Sequence, residues 1–217
     1  MRTLIIGSSG GIGAALLAAS GPNAIGLSRS QHGLDITDEA SIAAHLGALE
    51  APFDRIIIAT GALELNGAKP EKSLRALDAA AMSAQFALNA LGPTLVLKHA
   101  LRLIPRDRPA HIAALSARVG SIGDNALGGW HSYRAAKAAL NQFFHTAAIE
   151  IARTHPLACV ALIHPGTVAT SLGANYSGNH PTTPPDQAAQ NILHVLQGLT
   201  AENTGQFFDW QGKAIPW

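Results

Sequence analysis

Short apolar runs alternate with longer stretches in which apolar residues recur every three or four positions, almost from one end of the chain to the other. Runs apolar at every position suit strands covered on both faces, and the longer period suits amphipathic helices. The pattern therefore predicts strand-helix-strand units around a parallel sheet. The runs are Thr3 to Ile6, Ala24 to Leu27, the very short Gly33 to Asp35, Arg55 to Ala59, His111 to Leu115, Ala158 to Ile163 and Gln206 to Asp209, about seven strands. Helical patterns occupy Ile12 to Ser20, Asp38 to Leu49, Glu71 to Leu103, Ser132 to Thr154 and Pro185 to Leu199. Asp38 is an early residue or cap of the second helix, with Thr37 as the alternative cap. Gly92-Pro93 interrupts the third. Proline removes a backbone donor and clashes with the preceding turn, so that helix is expected to bend or break near Asn89. Only Ser28 to His32 separate the second and third runs, too few for the usual connecting helix, so one covering helix is expected to be missing.

There is no linker rich in Pro, Ser or charge and no internal repeat; Gly173 to Pro185 has the composition of a surface loop. The 217 residues are expected to form a single domain, 1–217. Only 13% of the chain is charged, 15 Lys plus Arg against 14 Asp plus Glu, where about 25% is usual. A net charge of +1 without a basic block argues against nucleic acid as a partner, because phosphate contacts need clustered cations. The 47% hydrophobic share supports a core, yet no apolar run approaches the ~20 residues of a bilayer span, so no membrane association is expected. The start Met-Arg-Thr-Leu-Ile-Ile imitates a signal peptide, but Gly7, Gly10, Gly11 and Gly13 interrupt the apolar stretch. A single cysteine, Cys159, excludes an internal disulfide framework and fits a reducing compartment, so a soluble, cytoplasmic protein is expected.

The candidate chemistry begins at Gly7-Ser8-Ser9-Gly10-Gly11-Ile12-Gly13, which follows an apolar strand and opens a helix. Gly7 allows a tight turn, Gly11 lets backbone approach a pyrophosphate, and Gly13 lets helix pack on strand; N–H groups at the helix start then favour an anion. Ser9 and Ile12 belong to the same cradle. The second strand ends at Ser28-Arg29, where a dinucleotide fold places the adenosine ribose. An acidic residue there would favour NAD; Arg29 instead suits a 2′-phosphate, so NADP(H) is favoured over NAD(H). Asp35-Ile36 is placed to bond the adenine amino group through the Asp35 side chain, or Asp35 is a turn residue. Tyr133 and Lys137 stand four apart on a helical pattern and share one face, where an ammonium would lower the phenol pKa.

These parts occur in order with Asn89, a serine after the fifth strand, and Pro165-Gly166-Thr167-Val168-Ala169-Thr170 after the sixth. The set resembles the short-chain dehydrogenase/reductase family over essentially the whole chain. Leu115 to Trp130 and the ending Phe207 to Trp217 resemble its small bacterial branch of C-factor-like proteins. The resemblance implies a Rossmann-type, doubly wound α/β fold in three αβα layers, acting on CH-OH/C=O groups. It implies Tyr133 as general acid/base toward a small carbonyl or alcohol substrate, and Lys137 on the nicotinamide ribose and lowering the Tyr133 pKa. Asn89 would hold a water next to Lys137. Thr170, with Val168 and the Pro165-Gly166 turn, would hold the carboxamide. A homodimer or homotetramer through the long helices is also implied.

Three departures qualify it. Where the family has paired serines, the second of which polarises the substrate carbonyl, this chain has Ser116-Ala117, so Ser116 is the hydroxyl available for that catalytic role, with Ser121 as the substitute. Ala59-Thr60-Gly61 replaces Asn-Ala-Gly, which removes an asparagine contact but keeps Gly61 beside the cofactor. The third is the missing helix after Ser28. The Ser116-Ala117 arrangement also motivates an alternative, a cofactor-binding signalling or interaction protein of C-factor type with weak or no turnover. Ten histidines form no ligand pair at helical spacing with a carboxylate, so no metal site is expected. His164 has the position of a loop residue, and Cys159 that of a buried thiol. No Gly-x-Ser-x-Gly elbow points to hydrolysis.

Overall fold

The computed structural model describes residues 1–173, 176 and 181–217; the central part of the expected loop Gly173 to Pro185 lies outside the described residues. Six strands, β1 (Thr3–Ile6), β2 (Ala24–Leu27), β3 (Arg55–Ile58), β4 (Ala110–Leu115), β5 (Ala158–His164) and β6 (Gln206–Asp209), form one parallel sheet in the order β2-β1-β3-β4-β5-β6. Side chains alternate across it. Leu4, Ile6, Ile56, Ile58, Val160 and Leu162 face α3 (Glu39–Gly47), α5 (Gly92–Ala100) and α6 (His131–Ile151). Ile5, Ile57, Ala113, Ala161 and Ile163 face α1 (Gly11–Ala19) and α7 (Pro185–Gly198). Both faces are thus covered, which is why the strands are apolar at every position.

The seventh expected strand, Gly33 to Asp35, is absent. Ser28 to His32 instead close into a single helical turn, α2 (Arg29–His32), ended by Gly33 at φ 78°. Leu34 and Ile36 drop into the core between α3 and α5, so their apolar character reflects burial without strand pairing. β2 is therefore an edge strand, and the covering helix expected to be missing is reduced to one turn.

Asp38 caps α3, its carboxylate accepting from the Ala40 N–H at 3.0 Å. The expected helix from Glu71 begins later, because Asp78 caps α4 (Ala79–Phe86) by accepting from the Ala81 N–H at 2.8 Å. Between α4 and α5 the backbone widens into a π turn over Ala87–Leu91, the irregularity expected around Asn89. The run Ala79–Leu103, 25 residues containing an 18-residue window with a mean hydropathy of 1.3, is long and apolar enough to cross a bilayer, contrary to the sequence expectation. Its inner face carries buried Gln85 and Asn89 and packs on α6.

Replacing Ile57, fully buried at the centre of the sheet, with alanine is expected to lower stability by about 2–5 kcal/mol in urea unfolding.

Candidate active site

Strand order reverses between β1 and β3, and in a parallel sheet this opens a crevice at the carboxyl ends of the strands. A cleft of 680 Å³ lies there, running from Ile12 and Thr60 past Tyr133 and Lys137 to Trp130 and Tyr176. A smaller hollow of 440 Å³ around Met1, Arg2, Pro22 and Asp54 lies at the opposite ends of the strands.

The glycine turn borders the cleft through Ile12. Gly7 has φ 91°, and a Cβ on Gly13 would meet the Gly7 carbonyl oxygen at 2.0 Å, so α1 starts directly against the end of β1. A Cβ on Gly11 would meet Thr170 Cγ2 at 2.6 Å, which places Thr170 over the turn. Gly10 caps α1 without a side-chain bond, and no acidic residue occupies the first turn, so the helix start keeps its positive end for an anion. Ser9 is exposed beside it.

At the end of β2, Ser28 is buried and Arg29 is exposed on α2. Asp35 accepts from the Thr37 hydroxyl at 2.7 Å and from the Thr37 N–H at 2.8 Å. These bonds, both to Oδ1, close a turn at Asp35 and hold its carboxyl below the ordinary carboxylate range. The Ile36 side chain points into the core, leaving only its backbone for a ligand.

Tyr133 and Lys137 are both buried in the first turns of α6. Lys137 Nζ donates to the Leu115 carbonyl at 2.9 Å and lies 5.8 Å from the centre of the Tyr133 ring. A Cβ on Gly61 would lie 2.9 Å from Asn89 Oδ1 and 3.4 Å from Lys137 Nζ, so Gly61, Asn89 and Lys137 converge on one point. Burial pushes Lys137 down to about 8 and pushes Tyr133 up. The expected lowering of the Tyr133 pKa by Lys137 is thus not carried by this geometry, because desolvation dominates. Asn89 is buried at the same point. Its side chain donates to the Ala62 carbonyl at 2.9 Å and to Gln85 Oε1 at 2.6 Å, and accepts from the Ala62 N–H at 3.1 Å. It clamps the chain after β3.

Ser116 lines the cleft, but its hydroxyl donates to Asn141 Oδ1 at 2.6 Å, one turn beyond Lys137 on α6. Ser121 accepts from the Asp124 N–H at 3.1 Å and does not line the cleft. Pro165, Gly166, Val168 and Thr170 line the cleft as expected, joined by His164. Burial, assisted by Arg118, pulls the His164 imidazole down to about 4, so it is neutral near pH 7.

Several contributors were not legible in the sequence. Thr60 Oγ1, Ser8 Oγ and His164 Nδ1 are buried without a hydrogen-bond partner among the described residues. Thr60 and His164 line the cleft, and Ser8 belongs to the glycine turn. Orphaned polar atoms beside a glycine cradle and an uncapped helix start fit an elongated, polar, anionic ligand such as a dinucleotide. Trp130, at φ 51°, lies edge-on to Tyr133 at 6.4 Å and to Tyr176 at 5.6 Å between ring centres. The only available signal for these residues was their closeness in sequence to the motifs.

A family model described as Enoyl-(Acyl carrier protein) reductase matches residues 15–202. C-signal of Myxococcus xanthus is 36% identical over 141 residues, 65% of this chain and 81% of that protein. The 1-hydroxy-2-glutathionyl-2-methyl-3-butene dehydrogenase of Rhodococcus sp. (strain AD45) is 32% identical over 200 residues, 85% of this chain and 79% of that one. Carbonyl reductase Sniffer of D. melanogaster shares the fold, with a TM-score of 0.85 at 19% identity, covering 100% of this chain and 99% of the other. A Burkholderia multivorans chain solved with bound NADP has a TM-score of 0.79 at 26% identity, covering 100% and 99%.

Lys137 has a pH signature. Its folded-state pKa, about 8, lies below the ordinary lysine value of 10.5. The unfolded chain therefore binds more protons between these values, and the burial penalty, full below pH about 8, is relieved as pH rises through that window. Urea unfolding at pH ~7 and ~9.5 is expected to show this gain in the wild type and its loss in Lys137→Met; other titrating groups cancel in the comparison.

Proposed function

The chain belongs to the short-chain dehydrogenase/reductase family, and from that premise we propose that residues 1–217 act as one NADP(H)-binding unit. It transfers hydride between the nicotinamide and a small carbonyl or alcohol substrate. The carrying observation is that Tyr133, Lys137 and Gly61 line one cleft with Ile12 of the glycine turn, while buried Asn89 meets Lys137 beside Gly61. The NADP bound by the Burkholderia multivorans neighbour supports the choice of cofactor, as does Arg29, exposed at the end of β2.

When bound, the cofactor supplies or takes the hydride. Gly7, Ser9, Gly11, Ile12 and Gly13 would hold its pyrophosphate, Ser28 and Arg29 the adenosine ribose and its 2′-phosphate, and the Asp35 side chain with the Ile36 backbone the adenine. Gly61, Pro165, Gly166, Val168 and Thr170 flank the nicotinamide. Tyr133 gives a proton to the substrate oxygen in reduction and takes it back in oxidation. Lys137 bonds the ribose hydroxyls and, with its proton loosened by burial, passes protons toward Tyr133. Pro93 has no N–H to offer the Asn89 carbonyl. With the Asn89 side chain bonded to Ala62 and Gln85, that carbonyl is the group that can hold a water beside Lys137.

The Ser116–Asn141 bond favours a second reading, a cofactor-binding signalling or interaction protein with weak or no turnover, because the expected carbonyl-polarising hydroxyl is engaged elsewhere. NADPH oxidation over a panel of aldehydes, ketones and quinones separates the two. Turnover supports the first reading, binding without turnover the second, and failure to bind either NADPH or NADH overturns both. Exposed Met82, Phe86, Leu91 and Ile149 on the α4–α6 side supply apolar surface for a homodimer or homotetramer.

Tyr133→Phe is expected to leave NADPH affinity intact, by fluorescence titration, while lowering kcat by about 10²- to 10⁴-fold. Retained turnover would remove Tyr133 from the mechanism. Arg29→Ala is expected to weaken NADPH by about 10-fold or more, the scale of a charge-assisted bond, without changing NADH affinity. Equal effects on the two cofactors would place Arg29 away from the 2′-phosphate.

A further inference from the structure

The chain between β3 and α4 is tied to the site at four points. Asn89 clamps both backbone groups of Ala62, and Gln85 Nε2 donates to the Leu63 carbonyl at 2.8 Å. The Tyr176 hydroxyl donates to the Glu64 carboxylate. The fourth tie is Glu71, a carboxylate only 7% exposed. Its Oε1 accepts from the Ser132 hydroxyl, its Oε2 from the Ser132 N–H at 3.2 Å, and its backbone carbonyl from the Trp130 N–H at 2.6 Å.

These bonds fall where α6 needs them. The helix is entered through three consecutive left-handed residues, Gly128 and Gly129 at φ 66° and Trp130 at φ 51°. A tryptophan in that region is disfavoured and persists only when its surroundings hold it. Trp130 provides no side-chain cap, so the first N–H groups of α6 lack a local acceptor. Glu71 supplies one from 61 positions away in sequence, and its charge opposes the positive end of the helix. Burial raises its pKa, but the Ser132 hydrogen bonds and the charge of His131 more than offset this, so it stays ionised. Ser132 directly precedes Tyr133, and the Trp130 ring contacts it. The bonds that fix Ser132 and Trp130 therefore fix the phase of the turn carrying Tyr133.

We propose that Glu71 is a positioning residue for the reaction, holding the first turn of α6 so that Tyr133 and Trp130 are set at the substrate end of the cleft. This rests on Tyr133 being the acid/base. Glu71 does not line the cleft and touches neither the glycine turn nor Arg29. Its loss moves the chemical step and spares cofactor binding.

The test uses the full chain, NADPH, and the carbonyl that the wild type reduces fastest in the panel above, well below the melting temperature of each variant. Glu71→Ala is expected to lower kcat by about 10- to 100-fold, as displacements of about 1 Å do, with the NADPH Kd within about twofold of wild type. Glu71→Gln, which keeps the shape and can bond both Ser132 groups, is expected to restore kcat to within about threefold. A role in stability alone would lower the melting temperature and leave kcat of the folded protein unchanged. Should Glu71→Ala fail to fold, Ser132→Ala, which loses the hydroxyl bond and keeps the backbone bond, carries the same comparison with an expected loss of about 3- to 10-fold. Wild-type kcat in the alanine variant that folds, or a Glu71→Gln loss as large as that of Glu71→Ala, overturns the proposal. If Tyr133→Phe is inactive in parallel, only the role of Glu71 fails; a wild type that binds NADPH but is silent on the whole panel overturns the acid/base role of Tyr133 and the role of Glu71 with it.

Discussion

Parallel strands cannot be joined by a tight hairpin, and this constraint orders the whole molecule. Each strand must return to the same edge through a crossover, so every turn that leaves a strand gathers at the carboxyl edge of the sheet. Six parallel strands with helices on both faces follow, and so does a crevice where the order reverses between β1 and β3. The Gly7 turn after β1, Gly61 after β3, Ser116 after β4 and the Pro165-Gly166 turn after β5 meet at that edge for this reason. Residues far apart in the chain become neighbours without any contact chosen for the purpose.

Within the crevice, desolvation outweighs direct charge pairing. Tyr133 and Lys137 are buried together, and burial acts on both toward their neutral forms, raising the phenol and pulling the ammonium down to about 8. The Leu115 carbonyl partly compensates the buried ammonium. A lysine poised near neutrality is well suited to moving a proton, whereas one paired with a carboxylate would be locked. The neutral His164 and the hydroxyls of Thr60 and Ser8, buried without a partner among the described residues, extend the same theme of polar groups held inside.

Side chains that look equivalent along the sequence take different roles here. Asn89 spends its amide on Ala62 and Gln85, Ser116 spends its hydroxyl on Asn141, and Asp35 folds onto Thr37. Each satisfies a buried or turn-forming group whose loss of water must be offset. Glu71 does so at the entrance to α6, where the backbone conformation of Trp130 leaves the helix start without a local acceptor.

Much was legible in the chain itself. Alternation of apolar runs and helical periods specifies the layers, because parallel strands buried on both faces carry no polar positions. Local steric rules place the glycine turn at Gly7 and the break beside Pro93. Spacing puts Tyr133 and Lys137 on one helical face. The run Gly33 to Asp35 misled, since burial of Leu34 and Ile36 leaves the same apolar signature as strand pairing. What only the tertiary structure decided were the partners: Ser116 with Asn141, Asn89 with Ala62, Glu71 with Ser132 across 61 positions. Sequence periodicity records which face a residue occupies, a property of its own helix or strand. Which donor meets which acceptor depends on how separate elements pack, and that is set only when the whole core closes.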